Sequence, residues 1–183
     1  MGERDILQEL FHPDCLVPLE EQYGKPLLRL REPGAPDSFV EIVQIPNDLI
    51  AIDLDANFSN ERIFQSGLGN GVCKRSDFIL LSVQLQCAIF IEMKRGTPDA
   101  SDIRKQLVGG LCAYEYVDRI IDRFYGDCFL ASYSRRFIAL LDTVAQKRPT
   151  KQAILPLHDS PGNMLKIKGM KKLQFNQLAR LTA

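Results

Sequence analysis

The stretch KRSDFILLSVQLQCAIFIEMK, Lys74 to Lys94, decides the reading of this chain. An acid, Asp77, opens the apolar run Phe78–Val83, and a second run, Cys87–Ile91, leads into Glu92, Met93 and Lys94. Both runs are rich in strand formers, and Gln84-Leu85-Gln86 between them is the only place for a turn, which predicts a hairpin. Apolar residues on both faces suit central strands of a sheet covered by helices. Side chains alternate along a strand, so Glu92 and Lys94 share a face and Ile91 and Met93 take the other. A Glu and a Lys ending an apolar strand are costly to bury unless something pairs with them. A divalent cation beside the carboxylate and a phosphate beside the ammonium would do so.

Those charges suit phosphodiester hydrolysis. Hard cations such as Mg²⁺ or Mn²⁺ take oxygen ligands, and Asp77, Glu92 and the backbone carbonyl of Met93 are the candidates. Such an ion activates a bound water and neutralises charge developing on the phosphoryl group. Lys94 would orient or deprotonate the water, or neutralise the phosphate. The bland alternative is a surface hairpin with an ordinary Glu92–Lys94 ion pair.

Ser76-Asp77, followed after fourteen intervening residues by Glu92-Met93-Lys94, resembles the signature of the PD-(D/E)xK nuclease superfamily, over about residues 60–145. Ser76 stands where the family often has Pro. The resemblance implies an α/β fold with a mixed central β-sheet flanked by helices, a restriction-endonuclease-like core. It also implies a metal-dependent endonuclease or exonuclease acting on DNA, as a homodimer or within a larger assembly. Many such proteins carry an upstream Glu; Glu61, Glu20 and Glu21 are the candidates here, and each is equally a solvated surface acid. Several branches also carry a Gln and then a Tyr on the helix after the motif. Gln106 and Tyr114 resemble that pair at longer spacing, which makes Gln106 a candidate helper of catalysis. The rival readings are an RNA-cleaving effector of a defence or toxin system, and a non-catalytic nucleic-acid- or protein-binding module of the same fold.

Gly96-Thr97-Pro98-Asp99 ends the second strand, and Asp99 or Ser101 caps a helix expected to run to about Phe124. Ile103, Leu107, Leu111, Tyr114, Val117, Ile121 and Phe124 recur at helical spacing and form its apolar stripe. Gly109-Gly110 weakens that helix by about 1 kcal/mol per residue relative to Ala, a cost that close packing would explain. Lys105 beside Gln106 is a candidate phosphate contact or a solvated charge.

The remaining chain is read more coarsely. Residues 3–11 read as a short helix, 19–31 show no clear period, and 31–37 form a turn-rich break. Ser38–Ile45 and Leu49–Leu54 read as a hairpin turning at Pro46-Asn47-Asp48. Gly67–Gly71 forms a loop ahead of the Asp77 strand, placed to border a substrate groove. No Gly-Lys-Ser/Thr follows it, which excludes a nucleotide P-loop. Arg136–Leu141 reads as a strand, Gln146–Lys151 as a basic loop and Gln152–Leu157 as a short strand. From Met164 the chain holds Lys166, Lys168, Lys171, Lys172 and Arg180 and no acid, a basic tail able to meet nucleic acid or an acidic partner.

Composition bounds the rest. The 183 residues suffice for one domain with a real core. No window of about 18 apolar residues exists, so no membrane span is expected. The charged opening MGERDILQEL is unlike a secretory signal, and five cysteines without a C-x-x-C pair imply reduced thiols in a cytoplasmic protein. Two histidines outside any motif argue against zinc sites and His-dependent hydrolysis. Lysines and arginines number 23, as do acids, but residues 1–60 hold 4 basic and 12 acidic residues while 61–183 hold 19 and 11. The chain therefore reads as an acidic N-terminal region, 1–60, of helix plus hairpin, before a basic nuclease-like core, 61–183. A basic face supplies the salt-sensitive phosphate contacts of nucleic-acid binding.

Overall fold

Strands β5 (Phe78–Ser82) and β6 (Cys87–Arg95) form the expected antiparallel hairpin, in register from Phe78 opposite Ile91 to Ser82 opposite Cys87. Their turn holds neither Gly nor Pro, and an acid from elsewhere organises it. The Asp48 carboxylate accepts the Ser82 hydroxyl at 3.0 Å and the Gln84 N–H at 2.7 Å, and Ser82 Oγ accepts the Leu85 N–H. The computed structural model describes residues 1–32, 35–67, 69–142 and 157–179.

Helix α3 (Ala100–Tyr125) follows β6, with the Asp99 carboxylate accepting the Ser101 N–H and Gly126 ending it in the left-handed region. It crosses to β7 (Ser134–Asp142), which lies parallel to β6. Strand β8 (Leu165–Lys168) adds in parallel beyond β7, and β4 (Ile50–Asp53) adds antiparallel to β5, giving the order β4-β5-β6-β7-β8. Ile103, Leu107, Tyr114 and Ile121 of α3 bury against Ile79, Phe90 and Phe137, the last two rings stacked at 4.7 Å. Each such side chain contributes about 1.5–3 kcal/mol on burial. Helix α1 (Glu3–Leu10) adds Ile6 and Leu7 to the same core. Gly109 and Gly110 make the close packing possible. A β-carbon on Gly109 would sit 1.7 Å from the Lys74 carbonyl oxygen, and one on Gly110 2.1 Å from Ser76 Oγ.

The opposite face is covered by a second sheet, where the sequence suggested helices. Strands β1 (Leu19–Gln22), β2 (Lys25–Glu32), β3 (Ala35–Val43) and β9 (Lys172–Gln174) form it in that order. Leu28, Leu30, Val40 and Ile42 meet Phe78, Leu80, Ile89, Ile91 and Ile138, with Phe175 and Leu178 of α4 (Phe175–Ala179) closing the core. The molecule is thus mixed α/β, built on two mixed sheets.

Two expectations are corrected. Residues 38–54 are not a hairpin: β3 pairs with β2 and β9, while β4 pairs with β5 in the other sheet. Asp48 leaves that bend to hold the β5–β6 turn. The unpatterned stretch 19–31 is itself a hairpin, β1–β2, turning at Tyr23 and Gly24, both at positive φ. The basic C-terminal stretch forms β8, β9 and α4, with its apolar residues Leu165, Leu173, Phe175 and Leu178 buried and Lys166 and Lys168 exposed. Each sheet takes strands from both sides of residue 60: β4 joins β5–β8, and β9 joins β1–β3. The basic loop at 146–151 and residues 152–156 of the last expected strand lie outside the described residues; Leu157 belongs to no strand. Among the described residues, no helix is long and apolar enough to cross a membrane.

Candidate functional site

The antiparallel register, continued one step past the Phe78–Ile91 pair, sets Asp77 opposite Glu92. Directly opposed residues share a face, here the one packed by α3, because Ile79 and Phe90 two residues away lie in the α3 core. Lys94 follows on that face, its Nζ 2.8 Å from Glu92 Oε1. The sheet therefore brings Asp77, Glu92 and Lys94 together, while the Met93 side chain joins the inter-sheet core. The Met93 backbone contributes its N–H, which donates to Asp77 Oδ2 at 2.6 Å.

Burial dominates the electrostatics. Glu92 is 0% and Asp77 4% exposed. Loss of solvent pushes Asp77 up to about 7, against the opposing Met93 N–H and Lys94 and with help from the Asp55 and Glu32 charges. Burial likewise raises Glu92, to about 8, and the facing Asp77 raises it further, with Lys94 opposing. Desolvation works against the Lys94 ammonium, but contact with Glu92 and the Asp77 and Glu32 charges outweigh it and raise its pKa. Two facing carboxyl groups short of positive charge hold their protons to neutral pH.

Five further residues complete the surroundings. Asp55, in α2 (Leu54–Asn57), reaches the site because β4 pairs with β5 and the Leu54 and Asp55 N–H groups both donate to the Asp77 carbonyl. Arg75 holds its carboxylate at 3.2 Å. Glu32, at the end of β2, arrives from the second sheet and pairs with Arg95 at 3.3 Å. Ser76 is fully buried, and its hydroxyl has no hydrogen-bond partner among the described residues. Sequence reasoning missed Asp55 and Glu32. An acid just past the apolar run Leu49–Ile52 was the available signal for Asp55; nothing local marks Glu32.

The other expected residues lie as follows. Gln106 is one turn before Gly110, on the helical face that meets Ser76, and its Oε1 is buried without a partner. Tyr114 donates to the Leu130 carbonyl at 2.6 Å and packs edge-on against Phe90, fixed in the core. Glu61 lines a cavity of about 400 Å³ under the glycine loop, with Gly67, Gly69, Gly71, Lys74 and Lys105. Lys105 spends its ammonium on the Gly69 carbonyl, and Lys74 pairs with Asp102. Glu20 pairs with Arg29 on β2, and Glu21 is an exposed β1 residue. Besides the facing Glu92, the carboxylates whose charges raise Asp77 are Asp55 and Glu32.

Among the described residues, no group of three or more His, Cys, Asp and Glu side chains is placed to hold a metal ion by itself. Mg²⁺ does not require one, because it is commonly held by one or two carboxylates and keeps several waters. The donor set fits such an ion: both Glu92 oxygens are buried, one of them 2.8 Å from the Lys94 ammonium. A hard cation beside them would let both carboxyl groups ionise.

No family model matches this chain, and no curated protein and no solved structure matches it.

Proposed function

We propose that this chain is a metal-dependent nuclease that hydrolyses phosphodiester bonds in DNA, with Asp77 and Glu92 holding Mg²⁺ or Mn²⁺. The observation that carries the reading is the fully buried Glu92 carboxylate facing Asp77, with the Lys94 ammonium ion-paired to it at 2.8 Å. Burying charge this way is destabilising unless something else binds there. When bound, the ion activates water and offsets charge on the phosphoryl oxygens.

The protein's own groups supply the rest. The Met93 N–H fixes the orientation of the Asp77 carboxylate, so its free oxygen points in one direction. Lys94, held by Glu92, presents a cation where a phosphate oxygen or the attacking water sits. The water oxygen bonds to phosphorus and gives up a proton to solvent, the bond from phosphorus to the leaving sugar oxygen breaks, and that oxygen takes up a proton from solvent. Gln106, with a buried carbonyl oxygen lacking a partner, can accept a hydrogen bond from that water.

The test is cleavage of supercoiled plasmid, single-stranded DNA and RNA with Mg²⁺, Mn²⁺ or EDTA. Metal-dependent cutting of DNA is expected, reduced about 100-fold or more in Glu92→Gln and Lys94→Ala, as when a group stabilising transition-state charge is removed. Wild-type protein that is folded and cuts nothing would refute the reading. Cutting of RNA alone would replace DNA as substrate.

A further inference from the structure

We propose that the exposed face of β8, with Lys166 and Lys168, and Arg104 beside it, is a track that holds the sugar-phosphate backbone of a nucleic-acid strand as it leaves Lys94. The proposal rests on the nuclease reading for where the strand leads. Its physical basis is sheet register. The parallel pairing aligns Glu92, Ala139 and Lys166 in one row across β6, β7 and β8, and Lys94, Leu141 and Lys168 in the next. Residues opposed in register share a face, and Ala139 and Leu141 lie in the core under α3. Lys166 and Lys168 therefore lie on the same face as Glu92 and Lys94, while Leu165 and Ile167 turn away, Ile167 onto the inter-sheet core.

Spacing fits a repeating anion. Strands lie about 4.8 Å apart, so Lys168 begins about 10 Å from Lys94, and the two β8 lysines are about 6.6 Å apart along their strand. Both are exposed, and neither has an ion-pair or hydrogen-bond partner among the described residues. The other cations near the site are already engaged: Arg75 by Asp55, Arg95 by Glu32, Lys74 by Asp102. Arg104 is exposed on the first turns of α3, its guanidinium against Gly162, just before β8. Lys171, by contrast, turns onto Phe39 and is not part of the row. Unengaged cations in register with the carboxylates are what a polyanion needs, since each phosphate contact releases a counterion.

The experiment is fluorescence-anisotropy binding of single-stranded and duplex DNA oligonucleotides, with RNA of the same sequence as a further arm, in EDTA over a range of salt. Wild type is compared with K166A/K168A, K166R/K168R and the remote control R119A/R123A, all checked for folding by thermal melt. The alanine double should weaken binding roughly tenfold or more and reduce the slope of log K against log salt by about 1.4 to 2. The arginine double should bind as wild type, and the control should not change. Equal binding by K166A/K168A and wild type, an equal loss in the control, or no binding by wild type would each overturn the track. Because EDTA prevents cutting, binding through the lysines by a protein that cleaves nothing with any metal refutes only the nuclease reading. Cutting with lysine-independent binding refutes only the track.

Discussion

The two faces of the five-stranded sheet are built on opposite principles. Toward the second sheet, Phe78, Leu80, Cys87, Ile89, Ile91, Met93, Ile138 and Leu140 form an unbroken apolar surface. Toward α3 the same strands begin apolar, with Ile79, Phe90 and Phe137, and end in Asp77, Glu92 and Lys94. Ser76 and Gln106 add buried oxygens without partners on that side. One face contributes stability, while the other carries a local electrostatic penalty that protonation or a bound cation would relieve. The alternation of β6 makes this possible, because neighbouring residues of one strand serve opposite purposes.

The largest expected effect breaks the apolar face. Ile89→Ala should destabilise by about 2–5 kcal/mol, read in urea unfolding, because it opens a cavity between two sheets that cannot collapse easily. The fraction that remains folded should keep its rate of cleavage. A selective loss of rate with unchanged stability would show that the faces are not separable.

Gly109→Ala tests the contact that fits α3 to the site. With a β-carbon 1.7 Å from the Lys74 carbonyl, helix or loop must move. We expect a loss of about 1–3 kcal/mol from overpacking, with cleavage falling as Asp77 shifts. Wild-type stability would mean that the Lys74–Ser76 segment yields freely.

Glu92→Gln sharpens the comparison in the other direction. It should stabilise the metal-free protein at pH 8, by about 1 kcal/mol or more, by removing a buried charge while keeping shape. Loss of both stability and cleavage would make Glu92 a structural residue.

The last test is the pH dependence of that penalty. Asp77 and Glu92 hold their protons in the fold to about 7 and about 8, against ordinary values near 4 when unfolded. Across pH 4–8 the folded state thus binds more protons than the unfolded state, so metal-free stability falls as pH rises. A divalent cation favours the ionised carboxylates, so Mg²⁺ or Mn²⁺ should raise Tm more at pH 8 than at pH 5. An equal increment at both pH values would count against metal binding at this pair.

The centre of the molecule was legible because its signals are local. Two apolar runs bounded by Asp77 and by Glu92 and Lys94, then a 3.6-period stripe after a capping Asp99, describe β5, β6 and α3 with the ends nearly right. The β1–β2 hairpin was obscured by charge. Its outward residues Glu20 and Arg29 pair with each other, while Leu28 and Leu30 point in, and Gly24 was the available turn signal. The Pro46-Asn47-Asp48 bend did mark a turn, but its two flanking strands go to different sheets, a choice made by long-range pairing that no window of residues contains.

Local sequence alone places a carboxylate at the start of one central strand and a carboxylate and an ammonium at the end of the next, because period-two alternation and a short turn leave little freedom. Long-range pairing decided that the two carboxyl groups would be dry, that Asp55 and Glu32 would join them, and that Lys166 and Lys168 would fall into register with them. Each of those depends on which strands pair and which layers cover them, and that selection is made by burial of apolar surface over the whole chain rather than by the residues of the site.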